Sequence, residues 1–372
     1  IDPDSKTLYV DAMTTPDGGT TKRHLIFAIS IEDGTTRGGW PLDVSSIVQF
    51  GGKAFDSTFH NQRGALAILN RTLYVPYGGH GADCGDYRGW VVAVPLDRPT
   101  AVEAFATGVH GGGIWGPSGV ASDGTAVYVA TGNAFNPTVT WNQSEAILRF
   151  ENGATFSGLV KDWFAPSDWY TLDAADYDLG GTGPVILDVP GATPSKLIVA
   201  LGKNRIAYLL DRTNLGGFGK GNGTTGEGIA SAQVTSLGII TAAAAYTTTM
   251  GSYVVFPGNG TGCTTTGNDL VALRISTSSP PRISTAWCAR QDGKASPIVT
   301  TTDGHTDPLV WGFGAEGGGR VWAFDADTGQ SIINGGTAID PTAYVHRFLP
   351  PIIAKGRIFI VADSGVYAFV KT

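Results

Sequence analysis

One two-strand phrase recurs along this chain, and it constrains the fold more than any other feature. An apolar alternating run like LYV is followed by a polar loop and then by a second run like AFD. The pairs are Leu8–Met13 with His24–Ser30, Leu73–Tyr77 with Trp90–Leu96, and Val127–Thr131 with Glu145–Phe150. They continue as Leu197–Leu201 with Arg205–Asp211, Tyr253–Pro257 with Asp269–Ile275, Leu309–Phe313 with Arg320–Asp325, and Ile358–Ala362 with Val366–Val370. Period-2 alternation is the mark of a half-buried strand. Most pairs are preceded by a further short apolar run (64–69, 183–187, 296–300, 351–354) and followed by a fourth. Seven copies of a four-strand unit, 49 to 70 residues apart, predict an all-β fold: a seven-bladed β-propeller of four-stranded antiparallel blades. A β-sandwich has no reason to repeat such a unit seven times.

The whole chain, 1–372, reads as one such domain. The first copy lacks an opening strand and the last lacks a closing one, as expected of a ring completed by both termini. The start at Ile1-Asp2-Pro3 reads as the tail of a strand, so residues upstream would complete the first blade. Composition agrees: 53 of 372 residues are Gly and only 15% are charged, which suits short strands and turns rather than helices. A formal net charge of −7 without a Lys/Arg run argues against nucleic acid as a partner. No apolar run has the length of a membrane span, and no signal-peptide pattern opens the chain. Sequons at Asn70, Asn142, Asn222 and Asn259 lean towards a processed, glycosylated, secreted or extracellular protein, periplasmic in a bacterium. A monomer is expected.

Polar chemistry is densest between Phe59 and Trp90, FHNQRGALAILNRTLYVPYGGHGADCGDYRGW. Runs at 65–69 and 72–77, joined by Asn70-Arg71, form a hairpin. Its open end gathers His60, Asn61, Gln62 and Arg63 against His80, Asp83, Asp86 and Arg88. In a propeller the loops before the innermost strand and between the second and third strands open on one face. That face also receives His110, Trp115, Asp173, Asp176, Asp178, Lys203, Asn204, Asn259, Lys294, Glu316, Arg320, His346 and Arg347. His24 falls near its rim, and His305 on the opposite face.

His60 or His80 would serve as general acid or base, because His titrates near neutral pH. Arg63 with Asn61 would neutralise a carboxylate or oxyanion. Gln62, Asp86, Arg88, His110, Trp115, Asp178, Lys203 and Arg347 complete a binding set for a small-molecule or glycan ligand, with sugar stacking at Trp115. His80, Asp83, Asp176 and Asp178 are candidate metal ligands, and Ca²⁺ is the cation such oxygens would take. Each residue has a structural alternative: His60 as a partner of a backbone carbonyl, Arg63 and Arg347 as clamps on Asp178 or Glu316, and the Asp run as turn-forming. Cys263 opens the second loop of the fifth repeat and Cys288 lies late in its outer strand, so a 263–288 disulfide is expected, with Cys84 left as an odd thiol.

GRVWAFDADTGQSI (Gly319–Ile332), GVYAFV (Gly365–Val370) and NRIAYLLDRTNLGGF (Asn204–Phe218) resemble the tryptophan-docking repeat of pyrroloquinoline-quinone (PQQ)-type propellers. HNQR, DCGDYRGW and DLGGTGPVIL (178–187) together resemble secreted bacterial and fungal PQQ-like repeat proteins. The resemblance covers nearly the whole chain and implies the fold. PQQ itself is not expected, since the dehydrogenases of that class resemble eight-bladed rings with a vicinal Cys-Cys pair, absent here. Three functions stay open: a carbohydrate-active enzyme, such as a polysaccharide lyase, or small-ligand binder at the mouth of the channel; a PQQ-dependent dehydrogenase; and a non-catalytic scaffold.

Overall fold

The computed structural model describes residues 1–81, 83–135, 137–219, 227–303, 306–333, 344–363 and 365–370. His305 and Asn222 lie outside them. The fold is a seven-bladed β-propeller with about 5% helix. Four-stranded antiparallel sheets make blade 4 (Val185–Asp188, Lys196–Leu201, Ile206–Asp211, Ala230–Gln233), blade 5 (Ala244–Thr247, Ser252–Pro257, Leu270–Ile275, Ile283–Ala289) and blade 6 (Ile298–Thr300, Leu309–Phe313, Val321–Asp325, Ser331–Ile333). The uniform four-strand expectation needs amending at the others. Blade 1 has three strands (Thr7–Thr14, Arg23–Ser30, Leu42–Asp43), as does blade 7 (Ile352–Ala354, Arg357–Ala362, Gly365–Val370).

In blade 2 the innermost strand is broken. His60–Asn61 and Ala67–Leu69 both pair with Thr72–Gly79, which is followed by Trp90–Pro95 and Glu103–Ala106. Blade 3 runs Ala121–Ser122, Val127–Ala130, Ile147–Phe150, Trp163–Ala165, and then gains a parallel fifth strand, Gly217–Phe218. Two helices, Val44–Ile47 and Trp169–Ala175, interrupt the pattern.

The chain divides into two compact units. Unit 1 holds Ile1–Pro184 and Leu215–Gly219, hence blades 1 to 3; unit 2 holds Val185–Asn214 and Lys220–Thr372, hence blades 4 to 7. Leu215 and Gly216 donate their N–H groups to the carbonyls of Lys161 and Val160, and Gly219 to that of Ala165. Phe218 then lies edge-on to the stacked indoles of Trp141 and Trp163, with centroids 5.4 and 4.7 Å away.

Strand alternation builds the cores. Leu73, Val75 and Tyr77 face blade 1 and pack with Ile26, Leu42 and Phe55. The intervening Tyr74, with Val91 and Ala93, faces blade 3 and packs with Val127, Val129 and Leu148. A blade strand is therefore apolar on both faces, which is why Trp90–Pro95 (WVVAVP) is almost wholly buried. Each such aliphatic side chain contributes about 1.5–3 kcal/mol. In unit 2, blades 4 and 5 share one core, blades 5 and 6 a second, and blades 6 and 7 a third.

Two local expectations are met. Asn70 and Arg71 have φ of 49° and 57°, the two positive angles of a type I′ hairpin turn. Cys263 and Cys288 form a disulfide with Cα atoms 5.8 Å apart. Cys84 is exposed and outside that bridge.

Candidate functional site

The ladder of blade 2 sets His60 opposite Gly79 and Asn61 opposite Gly78, so His80 follows at the same end of the sheet. The roles of the two histidines then diverge. His60 is 2% exposed. Its Nδ1 lies 2.6 Å from the carbonyl of Asp56, an acceptor, so Nδ1 carries the proton. Nε2 accepts the backbone N–H of Arg88 at 3.1 Å and the indole N–H of Trp90 at 2.9 Å. Burial drives its pKa down to about 4, against the opposing pull of the Asp56 carbonyl. His60 is thus a neutral hub with both ring nitrogens engaged by partners within the protein.

His60 also anchors a network that the sequence did not suggest. Its carbonyl accepts from His24 Nε2 at 2.9 Å; His24 Nδ1 sits 2.7 Å from Asp11 Oδ1, and Tyr77 Oη donates to Asp11 Oδ2 at 2.8 Å. His24 is 1% exposed, not at the rim. A signal existed: in RHLIFAIS, His24 falls in register with Ile26, Ala28 and Ser30, the inward residues of its strand.

His60, Asp86 and Arg88 converge on a cavity of 250 Å³ that also exposes Lys53. Asp86 bridges the two cations, 3.3 Å from Lys53 Nζ and 3.4 Å from Arg88 Nη2. Arg88 Nη1 is committed to the carbonyls of Thr107 and Val109 at 3.0 and 2.8 Å. These residues clamp neighbouring loops together.

A second convergence joins Arg63, Trp115 and Asp178, all in unit 1. The Arg63 guanidinium lies 5.0 Å from the Trp115 ring centroid, and its Nε donates to the Trp115 carbonyl at 3.3 Å. Burial lowers the Arg63 pKa, and the charges of Asp178 and Asp83 oppose that shift. Asp178 is 1% exposed and accepts the N–H of Asn133 at 2.7 Å. A Cβ on Gly132 would overlap that carboxylate, so glycine is required there. Two further buried carboxylates brace the same loops. Asp173 accepts from Ala134 N–H and Ser144 Oγ at 2.7 and 2.9 Å, while Glu145, at a φ of 49°, accepts from Leu179 N–H at 2.6 Å. Burial, with the charge of Asp178, raises Asp173 to about 6.

The remaining candidates are dispersed. Asn61 and Gln62 are partly buried, and Gln62 Nε2 donates to Gly64 O. His80 is partly buried, its Nε2 has no hydrogen-bond partner, and burial, then the charge of Lys22, lowers its pKa. Asp83 accepts from Tyr87 Oη at 2.9 Å, and His110 Nε2 contacts Gly85 O at 2.7 Å beside the rings of Tyr87 and Phe135. Asp176 caps the helix Trp169–Ala175 in the left-handed region. Among the described residues, no three His, Cys, Asp or Glu side chains are grouped as metal ligands. In unit 2, Lys203 is partly buried, and Arg347 donates from its backbone N–H, Nε and Nη2 to Glu316, with Nε–Oε2 at 2.6 Å.

No family model matches this chain, and no curated protein matches it. Solved structures do. The chain is similar to the quinohemoprotein alcohol dehydrogenase ADHIIG of Pseudomonas putida HK5, with a TM-score of 0.58 and 14% identity over 97% of this chain and 61% of that one. It thus spans under two thirds of that protein's length. The β-propeller domain of Cps50 (Swd1) from Myceliophteria thermophila gives a TM-score of 0.43 and 9% identity, over 98% of both chains. Saccharomyces cerevisiae Sqt1 gives 0.43 and 9%, over 96% and 83%. At these identities the likeness is one of fold.

Proposed function

We propose that this protein is an extracellular, PQQ-like repeat propeller that binds a hydroxyl-rich small molecule or glycan at the inner ends of blades 2 and 3. The observation that carries this reading is the Arg63 guanidinium laid over the Trp115 indole, next to loops braced by Asp178. An indole offers a face for the C–H side of a sugar ring, while guanidinium donors suit hydroxyl or carboxylate oxygens. The saturated nitrogens of His60 favour binding over acid–base catalysis. A disulfide at 263–288 supports an oxidising compartment.

Tryptophan fluorescence and calorimetry against a panel of neutral and acidic oligosaccharides test the reading. W115A and R63K should each weaken binding at least tenfold while leaving Tm nearly unchanged. A panel with no binder, or a W115A protein that binds normally, would overturn it. Dye-linked alcohol oxidation on adding PQQ with Ca²⁺ would replace it by the dehydrogenase reading.

A further inference from the structure

A second cavity of unit 1, of 590 Å³, runs along the outermost strand of blade 2, Glu103–Ala106, beside the loop that follows Phe150 of blade 3. That volume is within the range of small-molecule sites. Three phenyl rings form its apolar side. Phe105 is the central one, with the ring centroids of Phe50 and Phe156 at 5.5 and 5.4 Å. Phe105 is buried, whereas Phe50 is 41% exposed. Glu103 stands two residues from Phe105 on the same strand, hence on the same face of the blade.

Glu103 is the one titratable side chain lining this cavity among the described residues. Its Oε2 accepts the N–H of Ala154 at 3.2 Å. The cations of adjoining strands are held elsewhere: Lys53 by Asp86, and Arg149 by Glu151 and Asp162. The cavity therefore sets a carboxylate without a counter-ion beside aromatic rings. Both features attract a cation, the ring through its quadrupole.

The remaining polar walls narrow the kind of cation. Gln143, whose φ of 71° lies in the left-handed region, has its Oε1 taken by the N–H of Gly108 at 3.0 Å. Most of the rest is phenyl, aliphatic side chain and backbone. A primary ammonium or a guanidinium brings several N–H donors, and donors buried without acceptors are costly. A quaternary ammonium brings none.

We infer that this cavity binds a quaternary ammonium of the choline class. Its methyl groups lie against Phe50, Phe105 and Phe156, and its charge sits beside Glu103. The inference does not rest on the Trp115 site, which shares no residue with this cavity.

Calorimetry and ligand-observed NMR on the full chain test it, with choline, its neutral isostere 3,3-dimethylbutanol, and ethanolamine. Choline should bind, and both other compounds should bind at least tenfold more weakly. E103Q keeps an acceptor for the Ala154 N–H and should weaken choline at least tenfold with Tm nearly unchanged. F50A should weaken it similarly, whereas F50W, which keeps an aromatic face, should hold or tighten it. W115A should leave choline binding intact, which separates the two sites. No binding of choline by the wild type, or equal binding by E103Q, would overturn the inference. Equal binding of dimethylbutanol would reduce the site to an apolar cleft, and equal binding of ethanolamine to a general ammonium site; either overturns it. Co-sedimentation with phosphatidylcholine vesicles, lost in E103Q, would place the cation on a lipid headgroup; free choline binding without co-sedimentation would make it a solute.

Discussion

Asp11 and His24 are hydrogen-bonded at 2.7 Å, between two side chains that are each 1% exposed. Tyr77 supplies the second bond to Asp11, and the His60 carbonyl holds the far nitrogen of His24. Strands of blades 1 and 2 are thereby joined by polar groups in the middle of an apolar core. Such a network is costly to break, because each partner left behind is buried.

Truncating one member tests this. H24A should cost about 3–5 kcal/mol, since it strands the Asp11 carboxylate. H24A/D11N should recover part of the loss. Urea unfolding of the single and double variants checks the coupling; a single-variant cost below about 1 kcal/mol would mean that the pair contributes little.

His60 should make stability depend on acid. Its folded pKa of about 4 lies below the ordinary 6.5, so the unfolded chain binds the extra proton between those values. The contribution is complete above pH 6.5 and is lost as pH falls towards 4, with a size of about 3 kcal/mol. H60Q should flatten this limb. H60A should in addition cost about 1–3 kcal/mol at pH 7 by depriving Arg88 N–H and Trp90 N–H of their acceptor. Denaturant titrations at pH 4.5 and 7 measure both.

Asp173 should act with the opposite sign. Its pKa is raised from 3.8 to about 6, so the folded state holds the proton more tightly. Stability from this group is present below pH 3.8 and falls as pH rises through 6. D173N keeps an acceptor for the Ala134 N–H while removing the buried charge. It should be at least as stable as the wild type at pH 7, gaining relative to it between about pH 4 and pH 6, as thermal melts across that window would show.

The disulfide closes a loop of 25 residues within blade 5. C263S/C288S should lose about 3 kcal/mol, read as a lower urea midpoint. Reductant should affect the wild type and not the double variant.

Much of the fold was legible because it rests on repetition. Alternation at Leu73–Tyr77 or Leu197–Leu201 is a local property, and its recurrence fixes the blade count. The Cys263–Cys288 pairing followed once its blade was placed. The site was less legible for a physical reason. Residue type and strand end bring His60, Arg63 and His80 to one edge, yet whether a nitrogen is open depends on partners far along the chain. For His60 these are Asp56, Arg88 and Trp90; for Asp178 it is Asn133. The strand break at 62–66 also has no periodic signature, and it separates His60 in the core from Arg63 on Trp115. Nothing local in the sequence indicated that Phe218 would pack against Trp141 and Trp163.

That last contact has a consequence for how the protein is made. Trp163–Ala165 leaves the ribosome well before Gly217–Phe218, its parallel neighbour. At 5–20 residues per second, the strand waits roughly 3–10 s for that neighbour. During this interval the indoles of Trp141 and Trp163 lack the ring that later covers them. The nascent chain therefore presents an aromatic surface that a chaperone could hold, and blades 1 to 3 can finish folding only after part of blade 4 has been synthesised.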